Sequence, residues 1–204
     1  AHERSCYFEL MSKGEETRQA IVDQALELVS TGGLDKLTIG SLANATGMSK
    51  SGLFAHFRSK EQLQLQILDA ARRRFVDMVI APALKEPRGE ARIRAMFNRT
   101  MKQWEDELPG GCIFHAVSAE LDDQPGPARD YLIEIQRDYQ ESLKRAARIA
   151  IEEGQFREDL DIEQFAFELG SITAAYHHFG RLLGDPQAEE HAYKAFEALL
   201  ERSH

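Results

Sequence analysis

The chain has 204 residues, 25 Lys plus Arg against 34 Asp plus Glu, and a formal net charge of −9; at about 100–200 residues per domain it is one large domain or two small ones, long enough to bury a core without staples. With 43% hydrophobic and 29% charged residues the composition is globular rather than disordered. No apolar run is long enough to span a membrane, no secretory leader opens the chain, and two cysteines, Cys6 and Cys112, make no disulfide framework, so the expected location is the cytoplasm.

Ala1 to Leu10 carry no helical period and precede Met11. Residues 1–12 are therefore expected to be a disordered arm or an added extension, with the natural start at Met11. From Glu15 onward the period is helical. Ile21, Ala25, Leu28 and Val29 share one face, and Gly32-Gly33 stops that helix. Thr38 can cap a short helix carrying Ile39, Leu42 and Ala43, and Thr46-Gly47 breaks it. Ser49 caps the next, through Phe57. Ser59 caps a long helix with Leu63, Ile67, Ala71, Phe75 and Met78 on one stripe, which Pro82 ends or kinks. A fifth helix is predicted from about Gly89 to Leu108, a short sixth from Cys112 to Glu120, and a long amphipathic seventh from Ala128 to about Gly154. Asp161 opens an eighth that ends near Gly184, and a last one carries Ala192, Phe196, Leu199 and Leu200. Strand alternation is absent. The expected fold class is all-α, with about nine helices.

Charge is split along the chain. Lys36 to Lys60 holds four cations (Lys36, Lys50, Arg58, Lys60) and no acid, whereas Phe75 to His204 holds 15 basic and 25 acidic residues. A phosphate backbone attracts the first and is repelled by the second. Within the basic window the residues meet the needs of a helix-turn-helix. Ala43 is small where two helices cross, Gly47 tolerates positive φ in the turn, and Leu53 locks the pair, with Leu42, Met48 and Phe57 as further apolar anchors. The positions between, Ser49, Lys50, Ser51, Gly52, Ala55 and His56, are small, polar or basic, as a helix entering the major groove requires. A helix-turn-helix can also be purely structural.

The stretch from Leu37 to Leu63, with its helix-turn-helix, terminal Phe57 and Ser59-Lys60-Glu61-Gln62-Leu63 opening the next helix, resembles the DNA-binding domain of the TetR family of bacterial transcriptional regulators. The likeness covers about Glu15 to Leu68. A weaker likeness to uncharacterised members extends over Gly110 to Pro127. The resemblance implies a three-helix DNA-binding domain over 13–60 and a helical effector-binding and dimerisation domain over 61–204. It places Thr38 and Ser49 as caps and phosphate contacts, and Lys50 and Ser51 at the start of the recognition helix with Gly52 beside them. His56 and Lys60 become phosphate contacts. Phe54 stands where Tyr is frequent, Ala55 replaces a larger residue, and Gly52 costs about 1 kcal/mol of helix propensity.

One recognition helix reads only a few base pairs, so a palindromic operator calls for a homodimer. From Ile162 to Leu183 apolar residues lie on nearly every face and only Glu163, Glu168 and Arg181 are charged; a helix apolar all round is buried all round. Candidate dimer residues are Phe165, Leu169, Ile172, Tyr176, Phe179 and Leu183, with Phe196 and Leu199 from the last helix. The resemblance also implies a pocket among helices 4 to 8 for a small effector, expected to be apolar or aromatic. Its candidate lining is Met78, Phe97, Met101, Trp104, Phe114, His115, Tyr139, Phe167, Tyr176 and His177.

Enzyme and metal readings are weaker. Cys112 and His115 are three apart on a helix, but no orienting group or oxyanion site accompanies them. His177 and His178 are adjacent and lack the four-residue spacing of a helical metal pair. Arg72-Arg73-Arg74 reads as a solvated face. No catalytic residue, metal site or cofactor is expected. The reading is a DNA-binding regulator, a repressor released by its effector; the alternative is a helical small-molecule-binding or enzymatic protein whose helix-turn-helix no longer binds DNA.

Overall fold

The computed structural model describes residues 13–106 and 108–204, without the side chains of 103–106. The expected arm over 1–12, Cys6 included, and the side chain of Trp104 lie outside what is described. Among the described residues there are nine helices and no strand. They are α1 (Lys13–Gly32), α2 (Ile39–Thr46), α3 (Lys50–His56), α4 (Lys60–Phe75), α5 (Glu90–Asp106), α6 (Ile113–Leu121), α7 (Pro127–Glu152), α8 (Ile162–Tyr176) and α9 (Ala188–Ser203).

Side-chain caps start several of these helices. Thr38 Oγ1 accepts from the Ser41 N–H and Ser41 Oγ from the Thr38 N–H, each at 3.0 Å, a reciprocal capping box for α2. Ser49 Oγ accepts from the Gly52 N–H at 3.1 Å, Ser59 Oγ from the Gln62 N–H at 3.0 Å, and Asp161 from two N–H groups of α8. Each cap contributes about 1 kcal/mol. Gly47, at φ 68°, makes the left-handed turn between α2 and α3 that a side chain would strain.

The helix that carries Pro82 ends one residue past it, at Ala83. Beyond Phe75, α4 continues through a π turn, Val76–Ile80, into Ala81–Ala83. The wider turn absorbs the proline, which has no N–H for the Met78 carbonyl one turn back; the Arg99 guanidinium approaches that carbonyl instead, at 3.5 Å. A second π turn, His177–Leu182, prolongs α8.

Two apolar clusters hold the chain together. The first joins Ile21, Leu26 and Val29 of α1, Leu42, Leu53 and Phe57 of the helix-turn-helix and Leu63 and Ile67 of α4. It also includes Ile113 and Val117 of α6 and Leu132 and Ile135 of α7. The second joins α5, the distal half of α7, α8 and α9 around Phe97, Leu143, Phe165 and Phe196. The first cluster is thus shared between the three N-terminal helices and the body, so movements of α4, α6 and α7 bear directly on the helix-turn-helix.

Candidate nucleic-acid interface and ligand cavity

The short helix α3 divides its residues cleanly. Leu53 and Phe57 are buried against the first cluster, while Lys50, Ser51, Phe54 and Ala55 are exposed. Phe54 is 57% exposed although aromatic. Gly52 and His56 are half-buried at the edges of this face, and Thr38, Ser49 and Lys60 are exposed at the starts of α2, α3 and α4. Arg18, a residue that sequence reasoning passed over, fixes the other end of α3. Its Nη2 donates to the His56 carbonyl at 2.8 Å, and its guanidinium lies 5.9 Å from the centre of the Phe57 ring. A cation at a helix C-terminus is favourable, and this one helps hold a helix that carries Gly52.

A cavity of about 350 Å³ opens among α4, α5, α6, α7 and α8. Phe75 forms one wall, edge-on to Phe114 (ring centres 6.2 Å apart) and to Tyr139 (5.2 Å). Val76, Ile80 and Ile135 add apolar surface, and Thr100, Cys112, His115 and Thr173 add small polar groups. Arg72, Gln136, Asp138, Glu141 and Ser142 complete the lining. Burial pushes the Tyr139 phenol up to about 12, partly offset by its hydrogen bond with Thr100. Burial, and secondarily the charge that His177 would carry, pushes the His115 imidazole down to about 4. His177 stacks on His115 at 5.1 Å and is itself lowered, chiefly by burial.

The expected solvated arginine run is three separate ion pairs. Arg72 meets Asp138 at 2.8 Å, Arg73 meets Asp69 at 3.1 Å, and Arg74 meets Asp23 of α1 at 2.9 Å. Arg72 is held above its usual value first by its hydrogen bond with Tyr131, with burial opposing and nearby acids adding. Among the described residues no group of three or more His, Cys, Asp or Glu is placed to hold a metal ion.

Residues 89–196, more than half of the chain, match the family model described as tetracyclin repressor-like, C-terminal domain. Residues 21–66 match the model for bacterial regulatory proteins, tetR family. The chain belongs to the TetR family. This TetR-family regulator is 23% identical over 192 residues to the HTH-type transcriptional regulator SrpR of Pseudomonas putida, covering 93% of this chain and 87% of that one. Its fold is similar to a TetR transcriptional regulator from Chloroflexus aurantiacus, with TM-score 0.83, 28% identity, and 94% and 96% of the two chains covered. It is also similar in fold to AibR, solved in complex with isovaleryl coenzyme A and operator DNA, with TM-score 0.74, 20% identity, and 92% and 100% covered.

Of the residues proposed from the TetR resemblance as pocket wall, Phe114, His115 and Tyr139 line the cavity. Of the rest, Met78, Phe97, Met101, Phe167, Tyr176 and His177 stand elsewhere. Phe97 is buried in the second cluster, stacked on Phe196 at 4.0 Å, and Met101 is buried beside it. Met78 is half-buried in the π turn, outside the lining. Phe167 points outward, 66% exposed. Tyr176 packs on the second cluster, and His177 sits behind His115 rather than on the wall. Helical period shows which face of a helix is apolar, not whether that face meets a neighbour or a void. Arg72, Thr100 and Thr173 were missed because a small or charged residue gives no apolar signal.

The candidate dimer residues divide in the same way. Phe165, Leu169, Phe196 and Leu199 are buried inside the chain, out of a partner's reach, because one face of the all-apolar α8 serves the chain's own core. Ile172 and Tyr176 are half-buried against that core. Phe179 and Leu183 are exposed, as are Phe167 and Leu182, the last 72% exposed.

Proposed function

We propose that this regulator works in the cytoplasm as a homodimeric repressor that binds a palindromic operator and leaves it when a small, largely apolar effector occupies the cavity. In this reading residues 13–60 read DNA and residues 61–204 sense and pair. The observation that carries it is the run of α4. Lys60 opens the helix beside the exposed face of α3, and Arg72, Phe75 and Val76 further along the same helix line the cavity. A body that fills the cavity therefore pushes on the element that sets the position of the reading head. A ligand shifts the equilibrium only as far as it prefers one arrangement to the other. The family membership and the AibR complex, in which a molecule of this fold holds both an acyl-coenzyme A and DNA, support the reading.

Pairing is assigned to the exposed Phe167, Phe179, Leu182 and Leu183. Four large apolar side chains exposed along one element exceed what a monomer's scattered surface needs. DNA contact is assigned to Lys50, Ser51, Gly52, Phe54 and His56 of α3, with Thr38, Ser49 and Lys60 on phosphates. Measured on DNA from the chain's own gene region, Lys60→Ala is expected to weaken binding about equally on all sequences and to lower the salt slope by about 1, whereas Lys50→Ala also relaxes sequence preference. Unchanged affinity and slope in both variants would remove the assigned face.

A further inference from the structure

The effector reading leaves open the charge of what the cavity accepts, and the lining decides it. The aromatic wall is already arranged edge-to-face, Phe75 at 84° to Phe114 and at 89° to Tyr139. Such an array leaves ring faces and edges for another ring to pack against. The small polar groups within are uncharged at neutral pH. Thr100 and Thr173 are buried, and each hydroxyl donates its proton to a carbonyl of its own helix, Thr100 to Met96 at 2.8 Å and Thr173 to Gly170 at 2.9 Å. Thr100 is also bonded to Tyr139, so the hydroxyl with lone pairs to offer is that of Thr173, which suits a donor on the ligand and repels an anion. Tyr139 and His115 both stay neutral across the physiological range.

Among the described lining residues Arg72 is the only cation. It is 39% exposed and paired with Asp138, so it meets an incoming anion already neutralised. The acids Asp138 and Glu141 stand at the same wall, and Glu141 is held by Lys144 at 2.8 Å. The first turn of α6, where Cys112 supplies no side-chain cap, also borders the cavity. Its partial charge suits a carbonyl or hydroxyl oxygen but does not replace a counter-ion for a buried carboxylate, whose desolvation goes unrepaid.

We propose that the cavity selects an uncharged, ring-bearing molecule with a hydroxyl-type polar group and rejects the corresponding organic anion. This inference rests on the cavity being the effector site. Titration calorimetry of the full chain with a matched pair at pH 7 tests it: 2-naphthol (neutral) and 2-naphthoate (anionic). The expected result is naphthol binding at least tenfold tighter than naphthoate, weakened severalfold in Thr173→Val. Should Thr173→Val not fold, Phe114→Leu, at a half-buried position of the wall, is expected to show the same weakening. Equal or tighter binding of naphthoate, no binding of naphthol, or naphthol binding unaffected in the folded variants would overturn the proposal. A gel shift separates the two levels: naphthoate releasing DNA would sink the charge assignment but keep the effector reading, whereas tight naphthol binding that leaves DNA affinity unchanged would do the reverse.

Discussion

His115 is a half-buried base on a cavity wall, and its titration reports on that burial. Its pKa is about 4 in the folded chain against 6.5 for the free side chain. The unfolded chain therefore takes up a proton as pH falls through 6.5, while the folded chain does not until about 4. By linkage, stability contributed by the neutral ring is present above pH 6.5 and is lost as pH falls from 6.5 towards 4. At one proton the loss is on the order of 3 kcal/mol at most, and His177, lowered in the same direction, adds to it. Thermal melts of His115→Gln should show a shallower loss between pH 6.5 and 4.5 than the unaltered chain; parallel curves would mean that the ring is not buried as described. Gly110 is a second single-residue control. A Cβ there would overlap the Ser30 carbonyl, and its own N–H donates to Ser30 Oγ at 3.1 Å. Gly110→Ala is expected to cost roughly 1–3 kcal/mol, read as a lowered melting temperature. Sequence marks Pro109-Gly110-Gly111 as a loop but gives no sign that its backbone presses on α1.

At the scale of elements, α6 joins the cavity to the DNA-reading head by a short route. Its first turn brings Phe114 and His115 to the cavity, and its last brings Glu120 to the loop after α1. Glu120 Oε2 accepts from the Leu34 N–H at 2.7 Å, and the carboxylate sits where only Gly33, at φ 75°, leaves room. Glu120→Ala is therefore expected to leave effector binding intact while reducing the effect of effector on DNA affinity severalfold, measured by gel shift with and without ligand; an undiminished response would assign the coupling to α4 alone. The helices themselves were readable because caps and periods are local: Thr38, Ser49, Ser59 and Asp161 cap where the sequence places them. The two π turns were not. Each depends on how a carbonyl ladder is rerouted around Pro82 or past Gly180, which residue type alone does not reveal. Glu120 reaches across 86 residues to its partner, and no pattern along the chain encodes such a contact.

For the whole molecule, the net charge of −9 and the acid-free window over 36–60 fit a small DNA-facing surface on a body that DNA repels, which favours one docking orientation. In the proposed dimer the exposed Phe167, Phe179, Leu182 and Leu183 would set how two such surfaces are presented. Leu182 is 72% exposed, so Leu182→Glu should leave the single chain folded yet shift it from dimer to monomer in light scattering and abolish tight operator binding; a dimer that persists would place the interface elsewhere. The central claim, two reading helices held at a fixed spacing by a paired body, is tested most directly by selecting binding sites from a random duplex library with the full chain. The account predicts enrichment of an inverted repeat whose half-sites lie about one helical turn apart, bound by two chains per duplex. Enrichment of a single unrepeated site bound by one chain, or no enrichment at all, would contradict it.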